Sequence, residues 1–254
     1  MRILLTNDDG YHAEGLVVLE RLARLFSDDI TIVAPAEEQS GKGRSLTLSE
    51  PLRVRKFDDK RYTVSGTPTD AVMIALAEIM KDGKPDLILS GVNRGANLGE
   101  DVFYSGTVGA AMEGTLAGIR SIAISQRYGN QEDGQQATFE AAEAWGERVL
   151  RPLLDLPLTP GTLLNVNFPP IAPDSIKGVR VVGQGLRDYG RLKLIKRTDP
   201  RGFPYYWMGL GAVPHDPVAD TDLEAIELGY VTVTPLQMDL THRESIDMVD
   251  AVYR

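Results

Sequence analysis

Short apolar runs alternate with helix-forming segments along most of this sequence. The first run, residues 2–6, ends in a turn of Asn, Asp and Gly residues. Residues 16–26 carry apolar side chains at helical spacing, and a second apolar run follows at residues 30–34. A strand, a helix and a strand in this order are typical of a βαβ unit, in which the two strands run parallel.

The same alternation continues after residue 66. Thr67 and Pro68 provide an N-cap and a first helical residue for a helix that reaches about Met80. Further apolar patterns predict strands at residues 86–90, 119–125 and 162–168 and helices at residues 107–117 and 136–154. We therefore predict an α/β fold whose mostly parallel sheet carries helices on both faces.

Two internal stretches depart from this alternation. Residues 46–65 predict short antiparallel strands at residues 46–48, 52–54 and 62–64. Residues 186–211 predict a β-hairpin that leaves the core, because charged and aromatic residues flank a turn.

The C-terminal end returns to a regular pattern. It predicts a helix at residues 220–228, a strand at residues 231–234 and a last helix at residues 245–253. A strand this late in the chain needs a partner, either in this chain or in a neighbouring subunit.

Charge and cysteine content restrict what the chain can bind. A formal net charge of -9 argues against a surface that binds a nucleic acid duplex along its length. Because the chain has no cysteine, any metal ion must bind oxygen or imidazole. The N-terminal apolar run is too short for a signal peptide, and no apolar run reaches the roughly 20 residues of a membrane span. We expect a cytoplasmic protein with no membrane partner.

Two adjacent acids, Asp8 and Asp9, lie where the first strand is predicted to end. Taken alone, this pair could equally cap the next helix. Ser40 and Asn93 lie shortly after two other predicted strands, and ligands of open α/β sheets bind at the carboxyl ends of the strands. Carboxylate, hydroxyl and amide oxygens suit Mg²⁺ or Mn²⁺ and suit Zn²⁺ or Cu²⁺ poorly.

A glycine-rich loop, residues 91–107, joins the strand at residues 86–90 to the next predicted helix. It ends in Ser105, Gly106 and Thr107, where Thr107 is expected to cap the helix and free N–H groups would face a phosphoryl group. The alternative is a flexible loop whose glycines serve turns alone. Its glycine spacing matches neither a Walker loop nor a dinucleotide-binding fingerprint.

Short motifs that resemble those of a single protein family extend over nearly the whole chain. They are residues 3–10 (ILLTNDDG), 40–41 (SG), 66–70 (GTPTD), 90–93 (SGVN), 97–99 (NLG), 104–114 (YSGTVGAAMEG), 165–167 (NVN), 199–202 (DPRG) and 229–236 (GYVTVTPL). On these motifs the chain resembles the survival protein E (SurE) family of metal-dependent 5'/3'-nucleotidases. Departures are small: Val92 stands where isoleucine is commoner, and Arg94 and Ala96 vary the loop at positions that bind no metal.

The resemblance implies a complete site. One divalent ion per subunit, Mg²⁺ or Mn²⁺, would bind Asp8, Asp9, Ser40 and Asn93. The phosphate would lie among Asn97, Ser105, Gly106 and Thr107.

The resemblance also implies how the chain is divided. Residues 1–185 would form a Rossmann-like core with the metal site, residues 186–215 a projecting β-hairpin, and residues 216–254 a C-terminal helix-strand-helix. That last element would be exchanged between the subunits of a homodimer or homotetramer.

The expected reaction is hydrolysis of nucleoside 5'- and 3'-monophosphates, and short polyphosphate is a further candidate substrate. We expect the ion to bind a phosphoryl oxygen and activate water for in-line attack, with Asp8 and Asp9 as the catalytic residues, either of which could accept the proton of the water. One alternative is a haloacid-dehalogenase-type phosphatase with an Asp nucleophile, although those enzymes space their acids by one residue. Another is a non-catalytic nucleotide-binding regulator.

The sequence leaves two possible roles open for His12 and for a group of three aromatic residues. His12 either assists protonation of the leaving oxygen or makes local hydrogen bonds in its turn. The aromatic residues Tyr205, Tyr206 and Trp207 either stack on a base or contact another subunit.

Overall fold

The computed structural model describes residues 1–129, 138–187, 192–210 and 217–254. Within these residues a nine-stranded sheet forms the core, and a separate antiparallel pair forms a hairpin. The strands are β1 (Ile3–Thr6), β2 (Ile30–Pro35), β3 (Val54–Asp58), β4 (Arg61–Val64), β5 (Leu87–Arg94), β6 (Arg120–Gln126), β7 (Thr162–Phe168), β8 (Val179–Val181), β9 (Leu192–Thr198), β10 (Pro204–Leu210) and β11 (Val231–Gln237).

The order of the strands in the large sheet is β3-β4-β2-β1-β5-β6-β7-β11-β8. The six strands from β4 to β7 run parallel to one another, whereas β3 and β11 run antiparallel to their neighbours β4 and β7. This confirms the predicted mostly parallel sheet. It also places the carboxyl ends of β2, β1 and β5 side by side.

In the described part of the chain, six α-helices flank or follow the sheet. They are α1 (Glu14–Arg24), α2 (Pro68–Ile74), α3 (Gly106–Leu116), α4 (Glu140–Leu150), α5 (Asp222–Glu227) and α6 (Ile246–Asp250). Thr67 caps α2 as predicted, because its side chain accepts a hydrogen bond from the N–H of Asp70. A π-helical turn, Ala75–Ile79, prolongs α2 toward Met80.

Two apolar clusters lie on the two faces of the sheet. Ile3 and Leu5 belong to the cluster that includes residues of α1 and α4, whereas Leu4 between them belongs to the cluster that includes α2 and Ala110 of α3. Successive strand residues point to opposite faces, so a continuous apolar run such as β1 is buried on both.

Some local predictions need correction. Residues 46–48 form no strand, and the antiparallel pair in this region is β3 with β4. The strand predicted at residues 86–90 extends to Arg94. The late strand β11 finds its partners within this chain, between β7 and β8.

The hairpin β9–β10 and the residues after β11 present large apolar side chains to the surface. Trp207 and Met208 of the hairpin are 64% and 75% exposed, and Val252 and Tyr253 near the C-terminus are 79% and 85% exposed. Parts of the predicted hairpin segment, residues 188–191 and 211–215, and the predicted helix start at 136–137 lie outside the described residues. Among the helices that are described, none is long and apolar enough to cross a membrane.

Candidate active site

The loops after β1, β2 and β5 meet at one edge of the sheet, as the strand order requires. The N–H of Gln39 donates to the backbone oxygen of Asp8 at 2.7 Å, which joins the loop after β2 to the loop after β1. The N–H of Arg94 donates to Oδ2 of Asp9 at 3.0 Å, which joins the end of β5 to the same loop. Asp8, Asp9 and Ser40 therefore lie in the loops after β1 and β2, and Asn93 lies beside them near the end of strand β5.

Gly10 makes the first of these junctions possible. Its φ is +94°, a value that L side chains rarely adopt. A Cβ at this position would lie 3.0 Å from the backbone carbon of Glu37, so the two loops approach at backbone distance. The tight turn after β1 thus requires glycine for both its conformation and its packing.

Asp8 is buried against the first turn of α3. It is 4% exposed, and its Oδ1 accepts a hydrogen bond from Oγ1 of Thr107. Burial raises the pKa of the Asp8 carboxyl, and the hydrogen bonds from the Thr107 side chain and from the backbones of Thr107 and Gly106 oppose that rise. The start of α3 therefore surrounds this carboxylate with donors.

Gly106 lets α3 approach Asp8 this closely. A Cβ on Gly106 would lie 2.8 Å from Cβ of Asp8 and 3.0 Å from its Oδ2. Because real Cβ atoms are not found at 2.8 Å from another heavy atom, only glycine fits here without movement of the helix or of β1.

Asp9 is less buried than Asp8. Burial raises the pKa of Asp9 to about 6, and the nearby Asp8 charge adds to the rise, while the hydrogen bond from the Arg94 backbone lowers it. Two neighbouring carboxylates with raised pKa values form a site that favours a positive charge.

Ser40, in the loop after β2, and Asn93, near the end of β5, complete the predicted ligand set. Ser40 is exposed, and its Oγ donates to Oε1 of Glu38 at 2.9 Å. Asn93 is half-buried, and its Nδ2 donates to the backbone oxygen of Gly95 at 2.8 Å, so the amide nitrogen is turned away from any ligand role. Both side chains therefore keep an oxygen with which a cation can be bound.

Asn97 lies in a buried polar network. Its backbone N–H donates to Oδ1 of Asn167 at 2.8 Å, and its Nδ2 donates to Oγ of Ser125 at 2.8 Å. Its backbone oxygen accepts from Nδ2 of Asn165 at 2.8 Å. The NVN motif of β7 thus fixes the loop that carries Asn97.

The roles at the start of α3 differ from the prediction. Ser105, not Thr107, is the N-cap, since its Oγ accepts from the N–H of Val108 at 3.0 Å. Thr107 lies inside the first turn and binds Asp8 with its hydroxyl. Local sequence could not reveal this, because Ser and Thr are both good caps and only the tertiary contact separates them.

The sequence and the fold of this chain are similar to those of known proteins of one family. The family model described as "Survival protein SurE" matches residues 3–191. The chain belongs to the SurE family. A "5'-nucleotidase SurE" from Rhizorhabdus wittichii is 63% identical over 254 residues and all of both chains, and one from Caulobacter vibrioides is 50% identical over 99% of this chain and 96% of that protein. The crystal structure of the SurE protein from Aquifex aeolicus superposes with a TM-score of 0.85 at 39% identity, covering all of both chains.

Membership of the SurE family confirms the resemblance and the fold. It sets aside the haloacid-dehalogenase alternative, because those enzymes form a different family and space their two acidic residues by one residue.

His12, which is exposed, makes an edge-to-face contact with Tyr11, with ring centroids 5.0 Å apart. A ring contact is not the local hydrogen bond that was predicted, so both interpretations of His12 stay predictions.

The sequence interpretation missed Glu38. This residue binds Ser40 and lines a cavity of about 210 Å³ beside Asp9 and Arg94. The only signal in the sequence is that Glu38 lies two residues before Ser40. Its carboxylate accepts the hydrogen bond of the Ser40 hydroxyl and so fixes the direction of that O–H group.

Proposed function

We propose that this chain is a divalent-metal-dependent phosphatase that hydrolyses nucleoside monophosphates to nucleoside and phosphate. Full-length curated relatives that are 50–63% identical carry the name 5'-nucleotidase SurE, which supports the enzyme class. The observation that carries the proposal is the pairing of Asp8 and Asp9 at the carboxyl edge of the sheet, with the first turn of α3 directly against Asp8. Activity on 3'-monophosphates and short polyphosphate is part of the same proposal.

The residues present fit one Mg²⁺ or Mn²⁺ ion. Within the residues that the structure describes, no group of three or more His, Asp and Glu residues is arranged to hold a metal. The donors of the proposed site are two carboxylates, Asp8 and Asp9, with a hydroxyl from Ser40 and an amide oxygen from Asn93. Such an oxygen set, completed by water, is typical of hard cations.

The cation supplies Lewis-acid polarisation of a phosphoryl oxygen and a lowered pKa for attacking water. The chain's own residues orient the reactants. Thr107 holds the Asp8 carboxylate in place through its hydroxyl, and Arg94 holds Asp9 through its backbone N–H, so neither acid can rotate freely. A carboxylate that is fixed in this way can accept the proton of the attacking water.

The phosphate side of the site is the start of α3 together with Asn97. A helix N-terminus stabilises negative charge, and α3 has 11 residues, long enough for this effect. We assign the phosphoryl contacts to Asn97, Ser105, Gly106 and Thr107. In the ligand-free arrangement the Thr107 hydroxyl is bound to Asp8 and the Asn97 amide to Ser125, so binding of phosphate would exchange part of these hydrogen bonds.

We propose further that the working form is a homodimer or homotetramer. Monomers rarely leave as many large apolar side chains exposed as those of the hairpin and the C-terminal residues. Exchange of residues 216–254, or of the part that follows β11, would cover Met248, Val252 and Tyr253, which are 71%, 79% and 85% exposed. Aromatic residues of the hairpin suit a subunit interface in the same way. A cytoplasmic location fits a chain without cysteine.

The test is a phosphate-release screen. The purified chain is incubated with 5'- and 3'-monophosphates of adenosine and guanosine and with short polyphosphate, in Mg²⁺, Mn²⁺ or Zn²⁺, each with a chelator control. We expect release from at least one nucleoside monophosphate that the chelator abolishes and added Mg²⁺ or Mn²⁺ restores. Release that persists in the chelator would contradict the metal site, and tight nucleotide binding without turnover would favour a regulator.

A further inference from the structure

One buried carboxylate fastens the glycine-rich loop to the C-terminal part of the chain. Asp222, the first residue of α5, is fully buried. Its Oδ2 accepts a hydrogen bond from the N–H of Gly99 at 2.9 Å, and its Oδ1 accepts one from the N–H of Gly185 at 2.8 Å. One side chain therefore holds two backbone segments that lie far apart in the sequence.

The two segments are also packed without space to move. Gly99 has a φ of +56°, and a Cβ on it would lie 3.0 Å from the backbone oxygen of Gly185. A Cβ on Gly185 would lie 2.7 Å from Cδ1 of Leu223. Leu98, Leu223 and Ile226 form a small buried cluster beneath this contact. The carboxylate thus acts on segments that are already in close contact.

Residues 183–187, which we call the hairpin base, add further hydrogen bonds to the same loop. Nε2 of Gln184 donates to the backbone oxygen of Gly99 at 2.9 Å. Nη1 of Arg187 donates to the backbone oxygen of Leu98 at 3.2 Å and to Oε1 of Glu100 at 3.1 Å. The loop from Leu98 to Glu100 is therefore held mainly by groups from later parts of the chain.

This loop lies directly between the residues that we assign to the phosphate. Asn97 precedes it, and the turn Gly99–Phe103 leads from it to the N-cap Ser105. We propose that Asp222 is a positioning residue of the SurE reaction, which sets the phosphate side of the site by fixing the backbone at Gly99. This inference rests on the proposed function for its catalytic readout, but the hydrogen bonds of Asp222 can be measured without turnover.

Loss of the two hydrogen bonds of Asp222, which we call the clamp, should weaken phosphate binding but leave metal binding unchanged. In Asp222→Ala the N–H groups of Gly99 and Gly185 lose their acceptor, so Asn97 and the start of α3 are free to shift. Misplacement of binding groups by about 1 Å costs on the order of 100-fold, so we expect kcat/KM to fall about 10- to 100-fold. The KM for nucleotide and the inhibition constant of inorganic phosphate should both rise. The concentration of Mn²⁺ that gives half-maximal activity should stay near the wild-type value, because Asp222 contacts none of the metal ligands.

The experiment compares three variants with the wild type. Asp222→Ala removes the clamp, and Arg187→Gln weakens the same loop through Leu98 without altering α5. Glu224→Ala is the matched control, since it removes another carboxylate of α5 that binds Arg180 and the N–H of Asp220 but not the loop. For each protein we would measure amide hydrogen exchange at Gly99, phosphate affinity by calorimetry in Mn²⁺, and steady-state kinetics.

The proposal predicts faster exchange at Gly99 and weaker phosphate binding in Asp222→Ala, with a smaller effect of the same kind in Arg187→Gln and none in Glu224→Ala. A purely structural role would lower the amount of active enzyme, and hence kcat, while phosphate affinity and KM stay unchanged. Unchanged phosphate affinity and KM in Asp222→Ala would therefore overturn the proposal that Asp222 is a positioning residue. If Asp222→Ala does not fold, unchanged phosphate affinity in Arg187→Gln would count against it equally. If the wild type hydrolyses no nucleotide, the proposed function fails, and exchange and calorimetry still decide on the clamp.

Discussion

Two regions of this molecule are built in opposite ways: the edge of the sheet that carries Asp8 and Asp9, and the periphery, which consists of the hairpin β9–β10 and the residues after β11. At the edge, Asp8 is 4% exposed, and hydrogen bonds from the N–H groups of Gln39 and Arg94 join the loop after β1 to the loop after β2 and to the end of β5. In the periphery, Trp207 of the hairpin and Tyr253 at the C-terminus are 64% and 85% exposed, although both are large and aromatic. One chain therefore suffices to form the edge, whereas the apolar surface of the periphery is the part that we propose other subunits cover.

The largest expected effect is at the edge itself. Asp9→Asn replaces a charged cation ligand by a neutral one, and we expect a loss of at least about 100-fold in kcat/KM with the fold retained. Steady-state phosphate release at saturating Mn²⁺ is the measurement. Asp29→Asn, an exposed carboxylate paired with Lys60 at 2.6 Å, is the matched control and should remain fully active. Comparable turnover of Asp9→Asn would show that the edge is not a metal site.

Removal of strand β11 should cause the next largest effect. A chain ending at residue 229 loses a strand with the buried residues Val231, Val233 and Leu236 and exposes the edges of β7 and β8. An exposed edge of this length promotes aggregation, which size-exclusion chromatography would detect. A soluble, monodisperse and active truncation would show that the sheet is complete without β11.

A shorter truncation separates the periphery from the core. A chain ending at Met238 keeps β11 but loses the exposed residues that follow it. We expect a folded protein whose oligomer is smaller, because the lost residues are the ones proposed to bind another subunit. Sedimentation velocity and circular dichroism would test this. An unchanged oligomer would remove the C-terminal residues from the interface.

A pair of glycine substitutions compares the two regions directly. Gly106→Ala places a Cβ at 2.8 Å from Asp8, whereas Gly209→Ala in the hairpin meets nothing nearer than the backbone oxygen of Lys193 at 3.7 Å. Overpacking costs about 1–3 kcal/mol, so Gly106→Ala should lower the free energy of unfolding by that amount and also reduce activity. Gly209→Ala should change neither. Equal effects in urea unfolding would contradict the tight contact between α3 and β1.

The central strands could be predicted because they are buried on both faces. The run 162–168 coincides with β7, and the run 30–34 coincides with β2 except for its last residue, whereas the run 86–90 covers only the first half of β5. The strand predicted at residues 46–48 was wrong, since Leu48 is 89% exposed and an apolar run that finds no partner does not form a strand.

The site was predictable in part for a similar reason. Adjacent acids after β1 and a glycine-rich loop before α3 are local signals, and the order of parallel strands brings them to one edge. The clamp at Asp222 was not predictable, because its partner Gly99 lies 123 residues away and no local pattern marks a buried carboxylate as an acceptor for two distant N–H groups. The hydroxyl of Thr107 was misassigned for the same reason.

The proposed reaction depends on direct attack of water on phosphorus beside Asp8 and Asp9. Its most direct test is hydrolysis of a nucleotide with a chiral, isotopically labelled phosphoryl group, followed by determination of the configuration of the product. One in-line displacement inverts the configuration, whereas two displacements through an aspartyl-phosphate retain it. We predict inversion, with no phosphate trapped on the protein after an acid quench. Retention, or phosphate bound covalently to Asp8 or Asp9, would contradict the assignment of the two acids as metal ligands.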